Sequence, residues 1–254
     1  KPLVQTVAYE SERAHKRLVP YLEWSPEQKT QVVMVDDFDP PNGSATPIPN
    51  NTMMLIMQPP TDGELADYDS WLRLLITHEY AHILHLDKAI GTPDFLRNIF
   101  GRFFLLFPNM LHPNWFQEGF ATHVETDTEL GIGRGQADVF QMMMRQEAIH
   151  GLKNVGEVNT IFSHDWPLNH AYLYGVYFMQ FMEERYGKDA IKKLIRYYSD
   201  NLIPFRVDSN PKLVTGKSLT YLWLEFEAYL TERFAPQVAK IKQQSVTETV
   251  RLVE

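Results

Sequence analysis

Trp71-Leu72-Arg73-Leu74-Leu75-Ile76-Thr77-His78-Glu79-Tyr80-Ala81-His82-Ile83-Leu84-His85-Leu86 is the stretch that decides the fold. Its apolar positions are dense enough for a buried helix, and H-E-x-x-H stands in the middle of it. Residues i and i+4 on a helix lie about 40° apart around the axis and about 6 Å apart along it. His78 and His82 can therefore offer imidazole nitrogens to one metal ion. Glu79 follows the first of them and can hold a water beside that ion. This spacing serves Zn²⁺ bound by two His, with the Glu as general base. The competing reading is a helix with two core histidines and one exposed Glu.

A second motif weighs against that plain reading. Asn114-Trp115-Phe116-Gln117-Glu118-Gly119-Phe120-Ala121-Thr122-His123-Val124-Glu125 resembles the W-x-x-E-G-x-A-x-x-x-E helix of the gluzincins, the thermolysin-like and aminopeptidase N-like enzymes. By that resemblance Glu118 is the third zinc ligand. The metzincin pattern H-E-x-x-H-x-x-G-x-x-H would need Gly in place of His85 and His in place of Lys88.

The 254 residues are enough for one two-lobed domain or two small ones. Hydrophobic residues at 44% and charged residues at 22% describe a globular chain. A net charge of −8 argues against nucleic acid as the main partner. The chain has no cysteine, which removes a Cys nucleophile, thiolate metal sites and disulfides. No apolar run is long enough to span a bilayer. The chain starts at Lys1 without a signal segment, so it reads as a processed or excised fragment.

Along the chain, Val4 to Leu22 reads as a helix whose pattern Pro20 ends. Lys29–Asp36 and Thr52–Gln58 read as strands, and the Pro/Asn/Gly-rich Asp37–Asn51 between them as a loop. The Met-rich run of the second strand is core packing. Its edge is also a candidate for pairing with an extended substrate. Asp67–Leu86 is the H-E-x-x-H helix, with Asp69 or Ser70 as N-cap. Phe95 to Phe107 holds five Phe, three Leu and one Ile, broken by Gly101. Such a stretch packs as a helix on the core, lines a cleft, or meets a partner domain or a lipid surface. A helix from His112-Pro113 to about Glu129 carries Glu118. Further helices are expected at Asp138–Ile149, His170–Tyr186, Asp189–Tyr198 and Ser218 to about Phe234, with Pro236 just beyond and a further helical run to Gln244 as an option. Residues 154–169 and 201–217 read as loops. Few early strands and many late helices give an α+β layout: a small N-terminal sheet lobe (1–68), zinc-site helices (69–130) and a helical lobe (131–254) in a single domain.

Three further pieces extend the resemblance: Asp36-x-x-Asp39-x-x-Asn42-Gly43-Ser44-Ala45, Asp69-Ser70-Trp71-Leu72-Arg73, and Tyr172-x-x-Gly175. They look like the bacterial peptidase MA-like domain found next to TolB-like β-propellers. The resemblance implies a zincin, thermolysin-like fold, one Zn²⁺, and hydrolysis of a peptide or protein substrate. It also implies an exported, periplasmic or cell-envelope location and a propeller beyond Glu254. Glu79 would be the general base, and His78, His82 and Glu118 the ligands. A Tyr three residues before a Gly donates to the oxyanion in aminopeptidase N-like enzymes; Tyr172 fits, and Tyr174 competes.

Two departures stand out. The spacer between His82 and Glu118 is much longer than in those enzymes and contains the Phe-rich stretch. The G-x-M-E-N segment, whose Glu holds a free amine, reads Asn51-Thr52-Met53-Met54-Leu55 here. An endopeptidase is therefore expected over a zinc aminopeptidase. A binding or scaffolding module without hydrolysis is the reading from another class. All four of His78, Glu79, His82 and Glu118 are present, which a degenerate scaffold would not need. Glu125, seven residues past Glu118, either orients a ligand or is a plain exposed Glu. His85, His123 and His170 read as packed or solvent histidines. Arg134, Arg145 and Arg185 are candidates for a substrate carboxylate that the sequence does not separate.

Overall fold

A computed structural model describes residues 2–37, 42–60, 70–159, 166–167, 169–203 and 206–244. Helix α1 (Pro2–Leu22) is followed by strands β1 (Gln31–Val35), β2 (Gly43–Thr46) and β3 (Thr52–Ile56). Helices α2 (Trp71–Asp87), α3 (Gly91–Phe100), α4 (Asn114–Glu125) and α5 (Asp138–His150) come next. The one-turn α6 (Val155–Val158), then α7 (His170–Tyr186), α8 (Ala190–Tyr198), the one-turn α9 (Lys212–Thr215) and α10 (Leu219–Lys242) complete the chain. The architecture is α+β, with the sheet early and the helices late.

Every residue of α2 from Leu74 to Asp87 is buried. Such a helix has no solvent face, which is why its sequence is apolar all round and not striped. It packs against α1, α4 and strand β2. One contiguous core runs from Val7 on α1 through Met53, Ile83, Trp115, Phe178 and Trp223 to Phe234 on α10.

The sheet differs from the expectation of two strands and a loop. Gly43–Thr46 forms a third strand, and the order is β1-β3-β2. β3 pairs in parallel with β1 (Gln31↔Thr52) and antiparallel with β2 (Gly43↔Leu55). Gly-Ser-Ala-Thr carries no hydrophobic run, so nothing local marks it as a strand; its partner β3 makes it one. Thr52–Ile56 is thus the central strand, and its edges are already taken. The expected substrate edge on this strand is corrected accordingly. The Met-rich run alternates as core packing requires, with Met53, Leu55 and Met57 buried and Met54 outward.

Other boundaries move for identifiable reasons. α1 ends at Leu22 as expected, with Pro20 inside its last turn, whereas α10 runs on through Pro236 to Lys242. Pro236 lies in an exposed part of α10, where a displaced carbonyl can bond to water. α4 ends at Glu125, four residues early. An antiparallel bridge between Asp127 and Ile132 and an ion pair from Arg73 to Asp127 at 3.1 Å divert the chain there. Ser70 precedes α2 without a side-chain capping bond, and Asp67 to Asp69 lie outside the described residues. The loop expected at 154–169 begins with α6, held by a capping box between Asn154 and Glu157. Among the described residues no helix is long and apolar enough to cross a membrane.

Candidate metal centre

His78 and His82 sit one turn apart in the middle of α2, and Glu118 approaches them from the first half of α4. Their ligand atoms all lie within 4.8 Å of one another. His78 Nε2 and His82 Nε2 are 3.1 Å apart, and Glu118 Oε2 is 3.2 Å from the first and 3.3 Å from the second. Ligands at tetrahedral angles and 2.0–2.1 Å from one ion would be about 3.3 Å apart. The three donors are spaced as a cation would hold them, and the group could bind a metal ion.

The convergence follows from how α4 meets α7. A Cβ placed on Gly119 would lie 2.4 Å from the Cα of Gly175, and one on Gly175 would lie 2.2 Å from the Trp115 carbonyl oxygen. Only glycine at both positions lets the two helices touch backbone to backbone. Glu118 and Tyr172 flank that contact on α4 and α7. The Tyr172 ring stacks on His78 at 5.8 Å and 19°, and its phenol feels the Glu118 carboxylate. Burial, with the Glu118 carboxylate next, pushes the Tyr172 phenol well above its ordinary range, so it stays a donor. Tyr174, its competitor, points elsewhere. It is fully buried and donates to Glu147 at 2.6 Å.

Behind His78 stands a buried chain of charges. Glu125 Oε2 accepts from His78 Nδ1 at 2.7 Å, which turns the Nε2 lone pair toward His82 and Glu118. Arg134 grips Glu125 twice, from Nε to Oε1 at 2.7 Å and from Nη2 to Oε2 at 2.8 Å. Its guanidinium also lies 4.7 Å over the Tyr172 ring. Burial works against the Glu125 charge, yet Arg134 and His78 hold its carboxyl down at about 2. Burial likewise opposes a charge on His78, but bonds to Glu118 and Glu125 raise its pKa to about 9 despite the nearby Arg134. Burial also opposes the Glu118 charge, and His82 and His78 lower its pKa strongly regardless. The pocket is built around positive charge at its centre.

Glu79 is 5% exposed and faces strand β2: a Cβ on Gly43 would lie 2.6 Å from its Oε1. Burial raises its pKa, partly offset by His78 and His82. Glycine at 43 therefore makes room for this carboxylate, a role the sequence did not disclose. Arg134 is the other functional residue left unresolved by sequence. It was one of three arginines, and only the tertiary structure places it on Glu125. Arg145 bonds to Gln237, and Arg185 pairs with Glu232 on the surface. Of the remaining histidines, His85 pairs with His112 at 3.0 Å inside the core, and His123 pairs with Glu183 at 3.2 Å. His170 is buried at the start of α7. None of them joins the trio. No family model, no curated protein and no solved structure matches the chain.

Proposed function

We propose that the chain is a zinc-dependent peptidase of the gluzincin type, acting as an endopeptidase. The observation that carries this reading is the trio of buried His78 and His82 with half-buried Glu118, and Glu79 beside it. Two imidazoles and one carboxylate are the ligand set of a catalytic zinc that keeps one position open. When bound, zinc supplies Lewis acidity that polarises a carbonyl and acidifies water. Glu79, its pKa raised by burial, takes a proton from the attacking water and hands it to the leaving amine. Tyr172 donates a hydrogen bond to the oxygen that becomes negative, a contribution of roughly 2.7–4 kcal/mol for one such donor.

Strand β2 is the sheet edge nearest Glu79. An extended peptide adding to that edge would lay its backbone past the Glu79 carboxylate. Residues 42–60 contain no acidic side chain to hold a free amine, which favours internal cleavage over removal of N-terminal residues.

Zinc content and cleavage of end-blocked peptides, measured on the same preparations, test the proposal. Wild type is expected to hold one zinc and to cut blocked peptides. Glu118→Gln should lose most of the metal. Equal zinc in both proteins would remove Glu118 from the ligand set, and zinc without any cleavage would leave a scaffold.

A further inference from the structure

The stretch after α2 leaves its largest apolar side chains in solvent. Phe95, Ile99, Phe100, Phe103, Phe104 and Leu105 are all exposed, Phe100 to 72%. Leu105 also lines a shallow cavity with Leu202 and Ile203, so the apolar surface continues onto the segment after α8. Monomers rarely expose so many neighbouring large apolar groups without a partner.

This surface has a rigid base. Asp87, at the end of α2, takes Arg97 at 3.1 Å and Arg102 at 3.0 Å on one carboxylate oxygen, and Asn51 at 2.8 Å on the other. Arg97 also donates to the Leu106 carbonyl at 2.7 Å, and Arg102 to the carbonyls of Pro47 and Pro49. Both guanidiniums lie over the Phe107 ring, at 3.7 and 5.0 Å. A buried ion cluster is costly to assemble. Here it fixes a segment whose own apolar side chains stay outside.

The charge at this end runs against that of the whole chain. Segments 87–117 and 189–206 hold seven Lys or Arg and four acids, Asp87, Asp94, Asp189 and Asp200, a positive balance in a chain of net charge −8. Lys192 is spent on Glu23 and Asp189, and Arg97 and Arg102 on Asp87. Lys193, Arg196 and Arg206 are exposed and make no ion pair among the described residues.

We propose that this end of the molecule docks on an anionic lipid surface. The phenylalanines insert at the boundary of headgroups and acyl chains, and Lys193, Arg196 and Arg206 meet the headgroups. Side chains that protrude this far would each need a matching hollow in a protein partner, whereas a lipid interface needs none. The inference is independent of the peptidase reading.

Flotation of the whole chain with phosphatidylglycerol-containing vesicles, and with neutral phosphatidylcholine vesicles, tests it. Wild type is expected to float with the anionic vesicles. Phe103→Ser combined with Phe104→Ser should weaken partition by about tenfold or more, with an unchanged melting temperature. Phe100→Ser replaces that pair if it unfolds. Lys193→Glu with Arg196→Glu should weaken binding to the anionic vesicles. The proposal is overturned by absence of flotation, by equal binding to neutral vesicles, or by serine variants that bind as wild type does. A wild-type dimer that the serine variants dissolve would assign the surface to a second copy and overturn it as well.

Discussion

The pocket around His78 and the tip around Phe103 both invert the usual partition of side chains. In the pocket, Glu79, Glu125 and both histidines are less than 9% exposed; at the tip, six large apolar groups stand in water. Each inversion rests on a buried arginine–carboxylate cluster, Arg134 on Glu125 in one case and Arg97 with Arg102 on Asp87 in the other. The difference lies in what each cluster holds. One aims polar atoms inward at a point where a cation fits. The other holds apolar side chains outward, where a surface fits. Buried charge in this protein serves orientation more than stability, since such pairs are weak stabilisers once their desolvation is counted.

The strongest test of the comparison is Glu79→Gln. If the pocket is oriented for proton transfer, the amide still fits beside Gly43 but takes no proton. Hydrolysis should fall by about 10²–10⁴-fold with zinc retained. Activity within about tenfold of wild type, or roughly 1.4 kcal/mol of barrier, would assign the base elsewhere.

Glu125→Gln asks whether the charge behind His78 orients it. Loss of the carboxylate leaves Arg134 without its partner and the imidazole free to turn. Metal affinity is expected to drop by about 10–100-fold, read by competition with a zinc chelator. An unchanged affinity would reduce the Arg134–Glu125 pair to a structural bridge, and the parallel with the tip would break.

Gly175→Ala separates packing from chemistry. The added methyl meets the Trp115 carbonyl and Gly119, so α4 and α7 must move apart. A stability loss of about 1–3 kcal/mol is expected in a denaturant titration, together with weaker Tyr172-dependent catalysis. Full stability and full activity would show that the helices tolerate separation.

At the tip, the smallest effect is predicted. Serine at Phe103 and Phe104 should shift folding stability by no more than about 0.5 kcal/mol, because about half of each residue already lies in solvent. A large loss would return the stretch to ordinary core and dissolve the contrast with the pocket.

Some of this was readable residue by residue. The pairing of His78 with His82 needs only helical periodicity, so spacing alone placed both imidazoles on one side of α2. The W-x-x-E-G-x-A pattern pointed to Glu118, and the Tyr-x-x-Gly pattern to Tyr172. Both patterns contain a glycine because two helices must touch there, although the contact itself is not local. The strand β2 was illegible because Gly-Ser-Ala-Thr has no propensity of its own and becomes a strand only through β3. Arg134 was indistinguishable from Arg145 and Arg185, since an arginine's role depends on which carboxylate the fold brings to it.

Composition announced the Phe-rich stretch as apolar but could not say whether it lies inside or outside. That depends on whether the Asp87 cluster draws it inward or only fixes its base. Local spacing, in short range along one helix, is written in the chain order of this protein. Which helices touch, which strand forms the edge and which rings face water are decided by contacts between residues far apart in sequence, and only the folded chain contains them.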